Sequence, residues 1–190
     1  MRKSKAGFTL VELMTGMGVM SIVLLGSITL LSTGLKSFQK TSSDVVMTNQ
    51  NANALRKISE TLRQAINVTI TNSGRTITYT LPKLGPVDPL TGEKELVEPI
   101  QGDGVMRSFN VDFTTGKLIA GPGNITLISK LSPKDMQVGS SQYNQTYVPF
   151  QLTTIGSYRA ITITLITTDT VITDKRYMRM KTTAVVRNSN

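Results

Sequence analysis

The chain has 190 residues, with 21 basic and 12 acidic side chains and a formal charge of +9. It contains no cysteine and no histidine, which excludes disulfides, a thiol nucleophile, thiolate-bound zinc and the commonest general base. The length suits one domain plus an anchor. No catalytic pattern such as Gly-x-Ser-x-Gly occurs, so the chain reads as a non-enzyme that needs no cofactor.

A basic leader carrying Arg2, Lys3 and Lys5 ends at Gly7. An apolar run follows from Phe8 to Leu35, with Glu12 as its one charged residue. A bilayer core takes about 20 apolar residues, whereas the apolar region of an ordinary signal peptide holds about 7–15. The leader's charge predicts a cytoplasmic N-terminus and translocation of the rest. A carboxylate at the middle of such a helix costs about 2.5–3.5 kcal/mol, and charges placed there pair with something. Glu12 lies four residues after Phe8, about 6 Å along a helix axis. A cut between Gly7 and Phe8 would create an amine one turn from the acid, on the same copy or on a neighbour.

The next stretch, Lys36 to Ile66, contains no proline and keeps a helical period through Leu35, Phe38, Val45, Ala52, Leu55, Ile58, Leu62 and Ala65 or Ile66. One helix from about Phe8 to about Ile66 is predicted. Gly16, Gly18, Gly26 and Gly34 read either as ordinary membrane-helix glycines or as points of close packing or local melting.

The period then changes to two. Asn67–Thr71 and Arg75–Leu81 flank a Gly-containing turn and predict a hairpin. Pro82 to Gly104 reads as loop, broken by four prolines. A second hairpin is predicted from Val105–Phe113 and Lys117–Ala120, then a strand near Asn124–Lys130 and a polar loop over Ser132–Gln145. Two strong strands close the chain, about Tyr158–Thr168 and about Arg176–Arg187. The predicted class is α+β, a long N-terminal helix packed on a mostly antiparallel sheet. Its divisions are a leader at 1–7, a membrane half of the helix at 8–35, an amphipathic half at 36–66 and a β-rich domain at 67–190.

Two clusters carry candidate chemistry. Asp88, Glu93 and Glu95 concentrate oxygen ligands in one loop and form a weak calcium candidate, although their spacing fits a solvated turn as well. Arg176, Arg179 and Lys181 are candidate nucleic-acid contacts; in a strand Arg179 and Lys181 point the same way, with Tyr177 beside them, and make a basic face. Such a face tracks a phosphate backbone or protects a sheet edge.

Gly7-Phe8-Thr9-Leu10-Val11-Glu12-Leu13 after a basic leader resembles the processing site of type IV pilins and type II secretion pseudopilins. The resemblance implies cleavage after Gly7 by a prepilin peptidase and N-methylation of Phe8. It also implies that Glu12 pairs with the Phe8 amine of an adjacent subunit. The order of helix, early hairpin, long loop and late strands ending in Val185-Val-Arg187-Asn188 resembles the J-class minor pseudopilins and W-class minor pilins. The implied protein is a minor filament subunit, first held as a single-pass precursor in the inner membrane with its C-terminal domain outside the cytoplasm. It would then enter a filament in the periplasm or at the cell surface. Its implied partners are other pilins or pseudopilins, the peptidase and the inner-membrane assembly platform. The chain departs from parts of the family in lacking a disulfide and in having no proline before Pro82. Two other readings are a DNA-uptake pilus subunit that touches nucleic acid through the basic domain, and a signal-anchored extracytoplasmic binding protein.

Overall fold

A computed structural model describes residues 9–136, 139–141, 143–155 and 158–186. Helix α1 runs without interruption over Leu10–Gln64, through all four glycines. The chain divides into two compact units between Ser42 and Ser43. In the first unit, every described residue from Thr9 to Gln39 is exposed.

In the second unit, α1 buries Ser43, Met47, Asn51, Ala54, Leu55, Ile58 and Leu62. These steps of three and four residues form one helical face. The face differs from the predicted stripe. Leu35, Phe38 and Val45 are exposed, and Ala52 is only partly covered. Two polar residues, Ser43 and Asn51, replace them because the surface they meet is itself polar. Ser43 donates to Asp169 Oδ2 at 2.6 Å, and Asn51 Nδ2 donates to Thr167 Oγ1 at 2.9 Å.

Ten strands follow: β1 (Asn67–Thr71), β2 (Thr76–Thr80), β3 (Leu84–Val87), β4 (Lys94–Leu96), β5 (Arg107–Asp112), β6 (Lys117–Gly121), β7 (Ile125–Ile128), β8 (Phe150–Ile155), β9 (Tyr158–Val171) and β10 (Asp174–Val185). They form three sheets, ordered β1-β2-β5-β6-β7, β10-β9-β8 and β3-β4. Every paired neighbour is antiparallel. The hairpin β3–β4 stands where loop was predicted, and β8 lies where no strand was predicted. Pro86 sits inside β3, which a two-stranded sheet tolerates because one side of each strand needs no donor.

The core joins Ala54, Leu55, Ile58 and Leu62 of α1 to Ile77, Phe109, Val111 and Leu118 of the larger sheet and to Phe150, Ile161, Ile163 and Leu165 of the smaller one. Strand β9 is buried continuously from Ala160 to Thr167, so both of its faces are covered. On one face Thr162 meets Thr153 at 3.1 Å and Thr183 at 3.5 Å. The β1–β2 turn needs its glycine. Gly74 has φ +80°, and a Cβ there would lie 2.3 Å from Val148 Cγ1.

Candidate functional site

The chemistry of the N-terminus begins at Thr9 and Glu12. Thr9 Oγ1 accepts the Glu12 backbone N–H at 3.3 Å, and Glu12 Oε2 accepts the Thr9 N–H at 3.1 Å and the Thr9 hydroxyl at 3.0 Å. This reciprocal arrangement is a capping box, which satisfies donors that the helix start leaves open. Its signature, Thr9-Leu-Val-Glu12 ahead of an apolar run, was present in the sequence. Gly7 and Phe8 lie outside the described residues.

Beyond Glu12 the helix is built for an apolar medium. Leu10, Val11, Met14, Ile22, Leu30 and their neighbours are all exposed. The hydroxyls of Thr15, Ser21, Ser27, Thr29 and Thr33 bond back to carbonyls one turn earlier. Their polar atoms are thus satisfied within the helix, as a lipid or protein-core environment requires. Helix α1 is long and apolar enough to cross a membrane.

Two of the three basic strand residues are paired with acids. Arg176 Nη2 pairs with Asp44 Oδ2 of α1 at 2.8 Å. Arg179 Nη1 pairs with Asp135 Oδ2 at 2.8 Å, and the Asp135 side chain is wholly buried. Lys181 is exposed. Sequence reasoning had no access to Asp44 and Asp135 as partners, because both are remote in the chain.

A polar cluster also escaped the sequence reading. Asp169 accepts from Lys130 Nζ at 2.6 Å and from Ser43. These two bonds, Lys130's first, hold its carboxyl below the usual carboxylate range. Tyr147 lies beneath β9, where its oxygen accepts the Ile166 N–H, and burial pushes its phenol up.

The acidic loop is a turn. Asp88 Oδ1 accepts the Leu90 N–H at 2.8 Å, and Oδ2 accepts the Thr91 hydroxyl at 3.0 Å. Both bonds hold the Asp88 carboxyl low. Glu93 and Glu95 are exposed beside it. Among the described residues, no three His, Cys, Asp or Glu side chains converge as a metal site.

Residues 2–28 match the family model of the prokaryotic N-terminal methylation motif. That match covers the N-terminal segment alone and supports a resemblance to the type IV pilins and pseudopilins. No curated protein and no solved structure matches it. A pilin-like α+β arrangement follows from the fold itself, a long N-terminal helix packed against antiparallel sheets. The exposed apolar helix and the motif fit a membrane-anchored pilin. The motif family is structural rather than catalytic.

Proposed function

We propose that this pilin-like chain is a structural subunit of a type IV pilus or type II secretion pseudopilus filament. Its precursor spans the inner membrane once, is cut after Gly7 and is N-methylated on Phe8. The observation that carries this reading is the coincidence of the methylation motif at 2–28 with a helix whose described residues are all exposed up to Gln39. Each large apolar side chain left in water forgoes about 1.5–3 kcal/mol of burial energy. A membrane before assembly, and neighbouring helices afterwards, would cover that surface. Glu12 would then pair with the Phe8 amine of an adjacent copy, an acid–amine pair of the kind that buried charges require. The peptidase, the assembly platform and other pilins are the implied partners. The size of the β-rich domain favours a minor subunit.

Intact-mass and N-terminal fragment spectra of the membrane-extracted protein test this reading. The expected product begins at N-methylated Phe8, and Gly7→Leu blocks its formation. A mature chain that retains Met1 to Gly7, or unchanged processing of Gly7→Leu, refutes the reading.

A further inference from the structure

The β3–β4 hairpin is mostly exposed among the described residues. Its tip is ordered by its own bonds. The Asp88 N–H donates to the Glu93 carbonyl at 2.8 Å, the Gly92 N–H to the Asp88 carbonyl at 2.8 Å, and the Asp88 carboxylate holds Leu90 and Thr91. This scaffold presents Leu90 at 94% exposure. From Lys83 to Glu98 the hairpin carries four carboxylates against two lysines, in a chain whose formal charge is +9. Glu93, Glu95 and Glu98 are exposed.

The same domain holds a groove of about 740 Å³ with the opposite character. Lys130, Lys134 and Lys175 stand on its rim against one acid, Asp169, and Phe113, Leu131 and Met136 supply apolar lining. Lys130 is already paired with Asp169, and Lys134 donates to Asn144 Oδ1 at 3.3 Å. Lys175 is exposed.

Hairpin and groove lie at opposite ends of the helix segment they share. Leu96 and Ile100, at the root of the hairpin, line a cavity with Arg63, Gln64, Ala65 and Ile66. The groove lies at the other end, where Asp169 holds Ser43. Twenty-one helical steps separate Ser43 from Gln64, roughly 30 Å. The hairpin reaches only about 14 Å from Leu84 to Asp88. Its tip therefore cannot enter the groove of its own copy.

We propose that the β3–β4 hairpin of one copy docks tip-first into the lysine-rimmed groove of a second copy, with Leu90 against the apolar lining and Glu93 and Glu95 beside Lys134 and Lys175. The occupant is a second copy because one chain carries both halves of the match in charge and apolar surface. A contact between two different surfaces is heterologous, and where its rotation does not close, it propagates as an open helical filament. The proposal rests on the filament reading and replaces its minor-subunit part, since it requires neighbouring copies of this subunit rather than one copy at a tip.

The absence of cysteine allows a clean test on the full-length chain. Two differently tagged copies are co-expressed, one with Leu90→Cys and one with Ser129→Cys, an exposed groove position. Membranes and sheared filaments are treated with a short bis-maleimide. The expected product is a heterodimer well above either homodimer. Glu93→Lys with Glu95→Lys on the first copy, or Lys134→Glu with Lys175→Glu on the second, lowers its yield about fivefold each, and the two together restore it. Absence of the heterodimer, a dominant Leu90→Cys homodimer or indifference to charge reversal overturns the contact. Chains found in filaments without the heterodimer refute this contact and leave the filament reading standing. A heterodimer from chains absent from filaments does the reverse.

Discussion

Arg179 separates a structural from a nucleic-acid-binding role for the basic strands. Its guanidinium is 28% exposed, whereas the Asp135 carboxylate that it holds is 0% exposed. Ser140 Oγ donates to the same Asp135 oxygen at 2.8 Å and accepts from Arg179 at 3.3 Å. The Asp135 backbone N–H donates to the Gln145 carbonyl at 2.9 Å, so the pair staples the 132–146 loop to β10. Arg179→Met keeps most of the side-chain bulk and leaves the acid buried without its guanidinium. Breaking one side of a buried pair costs about 3–5 kcal/mol, and the partial exposure of Arg179 places the cost near the lower figure. For a chain of this size that is roughly 6–12 °C in Tm. The assay is thermal unfolding of the full chain in detergent, followed by circular dichroism, beside a gel shift with duplex DNA. The expected result is the fall in Tm with no change in DNA retention. Arg179→Met combined with Asp135→Leu recovers most of the loss, because an apolar replacement of both partners is close to neutral. An unchanged Tm with weakened DNA binding refutes the structural role. So does a double variant no more stable than the single one.

Leu62→Ala and Leu31→Ala remove the same atoms from opposite settings, 0% and 65% exposed. The first costs the domain about 2–5 kcal/mol and the second leaves its unfolding unchanged; equal effects in the melt would contradict the assigned burial. Asp169 supplies a pH signature. Its carboxyl is held low in the folded chain, so its contribution is present above the ordinary carboxylate value and is lost as pH falls through the folded one. Lys130→Ala removes the leading cause and moves the Asp169 titration upward, as read from its carboxyl carbon by NMR. A midpoint that stays in place sinks the assignment.

Much of the fold was legible because its signals are local. The helix needs only an unbroken apolar and then amphipathic run, and the first hairpin needs only alternation on either side of Asn72-Ser-Gly74. What escaped depends on distant partners. Phe150-Gln-Leu-Thr-Thr-Ile155 shows no clean alternation, and its outward Leu152 and Ile155 are exposed. It is a strand because β9 offers it a partner from Phe150↔Ile163 to Ile155↔Tyr158, a case of tertiary context overriding propensity. The prolines of 82–104 read as breakers, yet Pro86 fits a strand with a free side. Asn51 lay off any apolar pattern, but its site is set by Thr167 and the Met178 carbonyl, which it reaches at 3.3 Å. A run of Arg and Lys likewise does not say which cations are already paired. Arg176 and Arg179 are, through acids on α1 and in a loop.

Glu12 shows how a motif serves local structure and leaves room for assembly. The capping box uses a single carboxylate oxygen: Oε2 takes both Thr9 donors. A carboxylate offers about four acceptor sites over two oxygens, and among the described residues Oε1 accepts no hydrogen bond. Capping its own helix and accepting a neighbour's Phe8 amine are therefore compatible demands on one side chain. The Thr9 bonds also fix the carboxylate before any neighbour arrives, which lowers the ordering cost of the proposed pair. Thr9 thus becomes a positioning residue for the acid. In this reading the spacing of Thr9 and Glu12 is set by helix geometry, and the placement of Glu12 one turn from Phe8 is set by the cut.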